Sequence, residues 1–167
     1  MFYTKLLPSH DTASFDCGNT ELNAFLHNHA LSFMKRKLCL VHVLMDDTII
    51  LGFYTLSPFT VDVQAFPAKT ARKYPKTMPL PCWLLGKLAI DKRYQKYGLG
   101  RELLMTACER AAKLSNEDAG GFCLIVDAKD QAVKDFYTKY GFMAFKDAPL
   151  RLYLPLSKAR SIFLSIL

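Results

Sequence analysis

The sequence predicts a mixed α/β sandwich, with helices on both faces of a central sheet. Three observations predict it. Apolar runs of strand length alternate along the chain with stretches whose apolar residues recur at helical spacing. Their order is β-α-β-β, a long connection, then β-α-β-α-β-β, so strands and helices are interleaved rather than segregated. Of the 167 residues, 51% are hydrophobic and 22% charged, enough for one real core and too few for two. Residues 1–167 are therefore expected to form a single domain.

Each element has a local reason. Phe2 to Leu7 is a short strand candidate. Asn19 can cap a helix running to about Lys37, in which Leu22, Phe25, Leu26, Ala30 and Phe33 form one apolar stripe. Cys39–Met45 and Thr48–Thr55 flank Asp46-Asp47 and read as a β-hairpin. Ser57–Pro81 is rich in proline, which carries no backbone donor, and is expected to be a long connection with one short helix. Trp83–Ile90 is a buried strand. Leu99 to about Leu114 is a helix, with Leu103, Leu104, Ala107, Ala111 and Leu114 inward. Phe122–Val126 is another buried strand. Gln131–Tyr140 is a short helix, with Ala132, Val133, Phe136, Tyr137 and Tyr140 inward and Gly141 just past its end. Phe142–Phe145 and Arg151–Leu156 can pair as closing strands, and the tail Ser157–Leu167 is strongly apolar.

Composition narrows the function classes. No stretch approaches the roughly 20 uninterrupted apolar residues of a membrane helix, and Met1-Phe2-Tyr3-Thr4-Lys5 lacks the layout of a secretory signal. No membrane association is expected, and a cytoplasmic home is. Cys17, Cys39, Cys82, Cys108 and Cys123 are irregularly spaced without a C-x-x-C pair, which suggests neither a disulfide framework nor zinc. His27 and His29 stand two apart on a helix and cannot share a metal. Twenty-two Lys and Arg against fifteen Asp and Glu give a net charge of +7, a field that attracts polyanions. The cations group at Lys35-Arg36-Lys37, at Lys69, Arg72, Lys73 and Lys76, and at Lys92, Arg93, Lys96 and Arg101.

The third group coincides with a loop suited to phosphate. A strand, then Gln95-Lys96-Tyr97-Gly98-Leu99-Gly100, then a helix, presents unpaired backbone N–H groups at the positive end of a helix dipole. Glycine lets a pyrophosphate approach the backbone closely. A dinucleotide fold wants a third glycine where Leu103 stands. A P-loop wants Gly-Lys-Ser/Thr, and the chain offers Gly100-Arg101-Glu102. What remains is a pyrophosphate loop of another kind, with Gln95, Lys96 and Arg101 as extra donors.

Gln95-x-x-Gly98-x-Gly100, directly after the strand ending at Ile90, resembles the Arg/Gln-x-x-Gly-x-Gly/Ala motif of GNAT acetyltransferases. Val126 to Phe142, ending in Phe136-Tyr137-x-x-x-Gly141-Phe142, is similar to that superfamily's second landmark. Phe15-Asp-Cys-Gly-Asn-Thr-Glu-Leu-Asn-Ala-Phe-Leu26, Ile50-Leu-Gly-Phe-Tyr-Thr-Leu56 and Leu85-Gly-Lys-Leu-Ala-Ile90 together resemble the toxins of bacterial toxin–antitoxin pairs that acetylate charged tRNA. Lys87 stands where those toxins commonly carry arginine, and Lys96 where many carry glycine.

The resemblance implies a mostly antiparallel sheet with two strands splayed around an acetyl-CoA site. It implies acetyl-CoA held by Leu88, Ala89 and Ile90 of the strand, and by Gln95, Lys96, Tyr97, Gly98, Leu99, Gly100 and Arg101 of the loop. Tyr137 takes the place of the general acid that protonates the leaving thiolate, against a reading as a core aromatic beside Val133, Phe136 and Tyr140. The implied acceptor is the amino group of aminoacyl-tRNA, and the implied partners are a ribbon-helix-helix antitoxin and a second copy of the chain. No general base is evident; Asp127 is a candidate that can equally cap a turn. Trp83 either lines an acceptor pocket or packs. Two other readings stay open: an acetyltransferase of a small amine or a protein, and a non-catalytic module that binds coenzyme A or an antitoxin.

Overall fold

A computed structural model describes residues 1–117 and 119–164. In chain order the elements are β1 (Phe2–Lys5), α1 (Thr20–Ala24), a π-helical turn (Phe25–His29), α2 (Ala30–Lys35), β2 (Leu40–Asp46), β3 (Ile49–Asp62), α3 (Ala68–Ala71), β4 (Pro79–Ile90), α4 (Leu99–Glu117), β5 (Cys123–Asp127), α5 (Gln131–Lys139), β6 (Met143–Phe145), β7 (Ala148–Pro155) and α6 (Leu156–Leu164). The seven strands follow the order β1-β2-β3-β4-β5-β7-β6, a mostly antiparallel open sheet in a mixed α/β fold. The chain divides into two compact units, Met1–Ser57 with Leu85–Ala107, and Pro58–Leu84 with Cys108 onward.

In the first unit β1 pairs antiparallel with β2, and β2 with β3 through the Asp46-Asp47 turn, where Asp47 takes φ +51°. Asn19 caps α1 as its sequence position predicts, accepting the Leu22 N–H at 3.0 Å. The helix does not run unbroken to Lys37. A π-helical turn at Phe25–His29 interrupts it and α2 stops at Lys35. The apolar stripe survives the interruption: Phe25, Leu26 and Ala30 bury against Phe15, Val41, Val43 and Phe53, with Leu22 and Phe33 packed beside them. Phe15 and Phe25 meet Phe53 with ring centroids 5.5 and 6.1 Å apart. Leu103, Leu104 and Ala107 of α4 are fully buried.

In the second unit β5 pairs with β7 and β6 with β7, all antiparallel, so the closing strands pair as expected. β4 pairs β5 in parallel at Trp83–Leu124 and Leu84–Ile125. Phe66 lies at the centre of an aromatic core, 5.1 to 5.5 Å from Phe122, Phe145 and Tyr153. The expected connection at Ser57–Pro81 is shorter than its prolines suggest, because β3 runs on to Asp62 and β4 begins at Pro79. Pro58 is exposed, and from Ser57 to Asp62 burial alternates, so its missing N–H does not end the strand. The short helix expected there is α3.

Asp130 caps α5 by accepting the Val133 N–H, and Gly141 follows it at φ +90°. Ala132 is exposed, so the inward stripe of α5 is Val133, Phe136, Tyr137 and Tyr140, and Leu114 of α4 is only half-buried. The tail opens as α6, with Leu156 and Ala159 buried. Ile166 and Leu167 lie outside the described residues, as do the side chains of Ile162, Phe163 and Leu164. Among the described residues no helix is long and apolar enough to cross a membrane.

Candidate functional site

The glycine loop is set up by the residues before it. Asp91 directly follows β4 and is 0% exposed. Its carboxylate accepts from Arg93 Nε and Nη2, each at 2.9 Å, from the Arg93 backbone N–H at 3.0 Å and from the Asp16 N–H at 3.1 Å. Its own N–H donates to the Leu51 carbonyl at 2.8 Å. Burial pushes the Asp91 carboxyl up, but the Arg93 bonds and the Asp16 N–H outweigh that and hold it below the usual carboxylate range. Beside it, Lys92 pairs with Asp16 at 2.6 Å. Lys92, then the Gly18 N–H and the Asn23 amide, keep the Asp16 carboxyl far below its ordinary value.

Gln95 completes this brace. Its Nε2 donates to the Ile90 carbonyl at 2.9 Å and to the Cys17 carbonyl at 3.1 Å. The amide expected to reach phosphate thus ties the loop to the strand before it and to the segment leading into α1. Lys96 then turns the chain with φ +71°, and Gly98 with φ +80°. The left-handed region is open to glycine and costs a residue with a Cβ about 1–2 kcal/mol. Lys96 is held there nonetheless. Tyr97 is 76% exposed at the tip, while Leu99 is buried and Gly100 and Arg101 are half-buried on the first turn of α4. The Glu102 N–H is bonded to the Gly98 carbonyl at 3.3 Å. The Leu99, Gly100 and Arg101 amides precede it in the first turn, where helix geometry provides no intrahelical acceptor.

These residues fit a pyrophosphate. A Cβ built on Gly98 would meet nothing within 4 Å, so the space beside this backbone is open. On β4, Ala89 and Ile90 are buried, and Leu88 is half-buried. Lys87 lies over the Phe25 ring, 4.4 Å from its centroid, at the π-helical turn.

Tyr137 belongs to the second unit. It is 7% exposed on α5, its ring 5.2 Å from Phe136 and 5.3 Å from Phe142. Burial, with Cys108 adding to it, pushes the phenol well above the ordinary tyrosine range, so it is protonated throughout the physiological range. Tyr140 also packs against Phe136, with ring centroids 5.2 Å apart. Asp127, the candidate base, accepts both Arg151 Nε and Nη2, at 2.7 and 3.0 Å. Both carboxylate oxygens of Asp127 are thereby engaged by the guanidinium. Trp83 donates to Ser115 Oγ at 3.0 Å, and that hydroxyl donates to the Ala111 carbonyl, which anchors the indole on α4. Cys82 and Cys123 are buried and reduced. His27 Nε2 lies 2.8 Å from the Phe15 carbonyl oxygen. Among the described residues no group of three potential ligands could hold a metal.

Residues 37–144, which include both the glycine loop and Tyr137, match the acetyltransferase (GNAT) domain. The chain belongs to the GNAT acetyltransferase family. A tRNA-acetylating toxin of Mycobacterium tuberculosis is 30% identical over 91% of this chain and 90% of its own length. AtaT complexed with acetyl-methionyl-tRNAfMet superposes with a TM-score of 0.87 at 27% identity, over 97% of this chain and 98% of that one. A tyrosine-to-phenylalanine mutant of AtaT, bound to acetyl-CoA and to the C-terminus of the antitoxin AtaR, is 25% identical, with a TM-score of 0.81 over 98% and 97% of the two chains.

Asp16 and Asp91 are the residues of this GNAT chain that sequence reading passes over. A signal for Asp91 was present, an aspartate closing an apolar strand two residues before an arginine. Asp16 lay within the Phe15–Leu26 motif, but its role was hidden because its partner Lys92 lies far along the chain.

Proposed function

We propose that this chain transfers the acetyl group of acetyl-CoA to the α-amino group of an aminoacyl-tRNA, and so acts as the toxin of a toxin–antitoxin pair. The observation that carries the reading is the likeness in fold, over 97% of this chain, to AtaT complexed with acetyl-methionyl-tRNAfMet. It is supported by a glycine loop whose open backbone suits a pyrophosphate and by a buried, protonated tyrosine on α5.

Acetyl-CoA supplies an acetyl thioester. In this reading the first-turn amides of α4, with Lys96 and Gly98, hold its pyrophosphate, and the backbone of Leu88, Ala89 and Ile90 holds the arm and polarises the carbonyl. The amine nitrogen forms a bond to the acyl carbon, the carbon–sulfur bond breaks, and Tyr137 gives its proton to the sulfur. The proton lost by the amine goes to solvent, and the Tyr137 phenolate regains one from it. No strong base is needed, since an α-amine titrates at about 7.7–8.0 and is partly neutral at physiological pH, whereas a lysine at about 10.4 is not.

The same reading assigns a cytoplasmic location, a homodimer, residues 1–167 acting as one acetyltransferase domain, and a ribbon-helix-helix antitoxin as partner. Labelled acetyl-CoA and a mixture of aminoacyl-tRNAs test it. Label is expected on the amino acid carried by tRNA. Label on protein lysine or on free amines, with none on tRNA, would overturn the acceptor.

A further inference from the structure

The short helix α3 separates two grooves in the second unit. Lys69, Lys73 and Lys158 line one, about 420 Å³ in volume, over a wall of Tyr74, Phe122 and Tyr153. Arg72, Lys76 and Lys146 line the other, of about the same volume, with Asp147 as its one carboxylate. Three distant segments of sequence supply these cations: the α3 region, the turn between β6 and β7, and the start of α6. All six are exposed. Among the described residues none of the six forms an ion pair.

Six unneutralised cations around one short helix repel each other, and a bound polyanion removes that cost. The aromatic wall favours one polyanion over another. Tyr74 and Phe122 meet edge to face at 5.8 Å, and both are half-buried, so part of each ring stays accessible. Met143 stands exposed on the same rim. An acidic peptide needs the cations alone. RNA uses both features, since its phosphates pair with lysine and arginine while ribose and base faces lie on aromatic rings.

We propose that the two sides of α3 grip the sugar–phosphate backbone of RNA, phosphates on the six cations and a ribose or unstacked base on Tyr74 and Phe122. This rests on aminoacyl-tRNA being the acceptor, and it names where the body of that RNA is held.

The test uses uncharged tRNA, so that binding is read without reaction. Two triple variants, K69Q/K73Q/K158Q and R72Q/K76Q/K146Q, are compared with the wild-type chain by fluorescence polarisation over a range of salt. All six side chains are exposed, and an unchanged affinity for acetyl-CoA serves as the control for folding. Each variant is expected to bind tRNA about tenfold or more weakly. Each should also show a slope of log affinity against log salt shallower by about 2, at roughly 0.7–0.9 per lost phosphate contact. Unchanged affinity and slope in both variants would overturn the surface, as would loss of polyglutamate binding with tRNA binding intact. If the wild-type chain binds tRNA through these residues yet places no label on aminoacyl-tRNA, the acceptor reading fails and the surface stands.

Discussion

Replacing Tyr137 by phenylalanine removes one hydroxyl and keeps a ring that touches Phe136 at 5.2 Å and Phe142 at 5.3 Å. The swap nearly conserves volume, so the cost in stability should be under about 1.5 kcal/mol. The kinetic effect should be far larger. A positioned acid contributes about 10²–10⁴-fold, which is roughly 2.7–5.5 kcal/mol of barrier. The loss should fall on kcat, with the KM for acetyl-CoA nearly unchanged, because the missing interaction belongs to the transition state. The pH profile gives a second reading. Burial raises the Tyr137 phenol above its ordinary value, so the donor stays protonated as pH rises, and the wild-type rate should not lose its acid below about pH 10. Tyr140→Phe is the control, since Tyr140 packs against the same Phe136 and should turn over like wild type. Stopped-flow assay of acetyl transfer alongside thermal melting separates the two roles. Near-normal kcat in the Tyr137 variant with unchanged melting would remove this residue from the chemistry. A kcat that falls only in step with the melting temperature would make it a packing residue.

Three further substitutions probe the loop. Gly98→Ala places a Cβ in open space at φ +80°, so the fold should survive at a cost of about 1–2 kcal/mol, while calorimetry should show acetyl-CoA affinity lost. Lys96→Gly relieves a left-handed lysine and should leave melting level or raise it by up to about 1 kcal/mol of stability, yet weaken acetyl-CoA binding several-fold by removing a charge; tighter binding would contradict the assignment of Lys96 to phosphate. Asp91→Asn breaks the fork to Arg93, and since Arg93 is half-exposed and can re-solvate, we expect a loss of about 1–3 kcal/mol with a matching drop in acetyl-CoA affinity. The depressed carboxyls of Asp16 and Asp91 give the acid counterpart. Their contribution to stability is complete above the unfolded value of about 3.9 and fades as pH falls from there toward their lower folded values, so thermal melting should hold at pH 5 and decline progressively below about pH 4.

What was legible in the sequence was what is decided locally. Asn19 announces a helix start because a cap is a contact three residues long. Gly98 and Gly141 mark turns because the backbone there needs φ values that glycine reaches freely. Pro58 and Pro79 misled because proline signals a break only where its N–H is needed, and these strand positions do not need it. The π-helical turn at Phe25–His29 was invisible because it inserts its extra residue without disturbing the apolar stripe that a periodicity count detects.

The brace under the glycine loop was hidden for a different reason, and it changes how two of the motifs relate. Phe15-Asp16-Cys17-Gly18-Asn19 and Gln95-x-x-Gly98-x-Gly100 stand far apart in the chain, and from sequence they look like independent resemblances. In the folded chain Gln95 donates to the Cys17 carbonyl across 78 residues, Lys92 pairs with Asp16, and the Asp16 N–H reaches Asp91. The Asp16–Asn19 segment therefore does two jobs. It caps α1 through Asn19, and it fixes the approach to a loop in which two successive left-handed turns have to be held open. A loop bearing a left-handed lysine is strained on its own, and remote hydrogen bonds of this kind are what over-determine such a conformation. The glycine loop proposed to hold phosphate thus does not set its own geometry; Asp16, Cys17 and Asp91 complete it, and none of them lies within the motif itself.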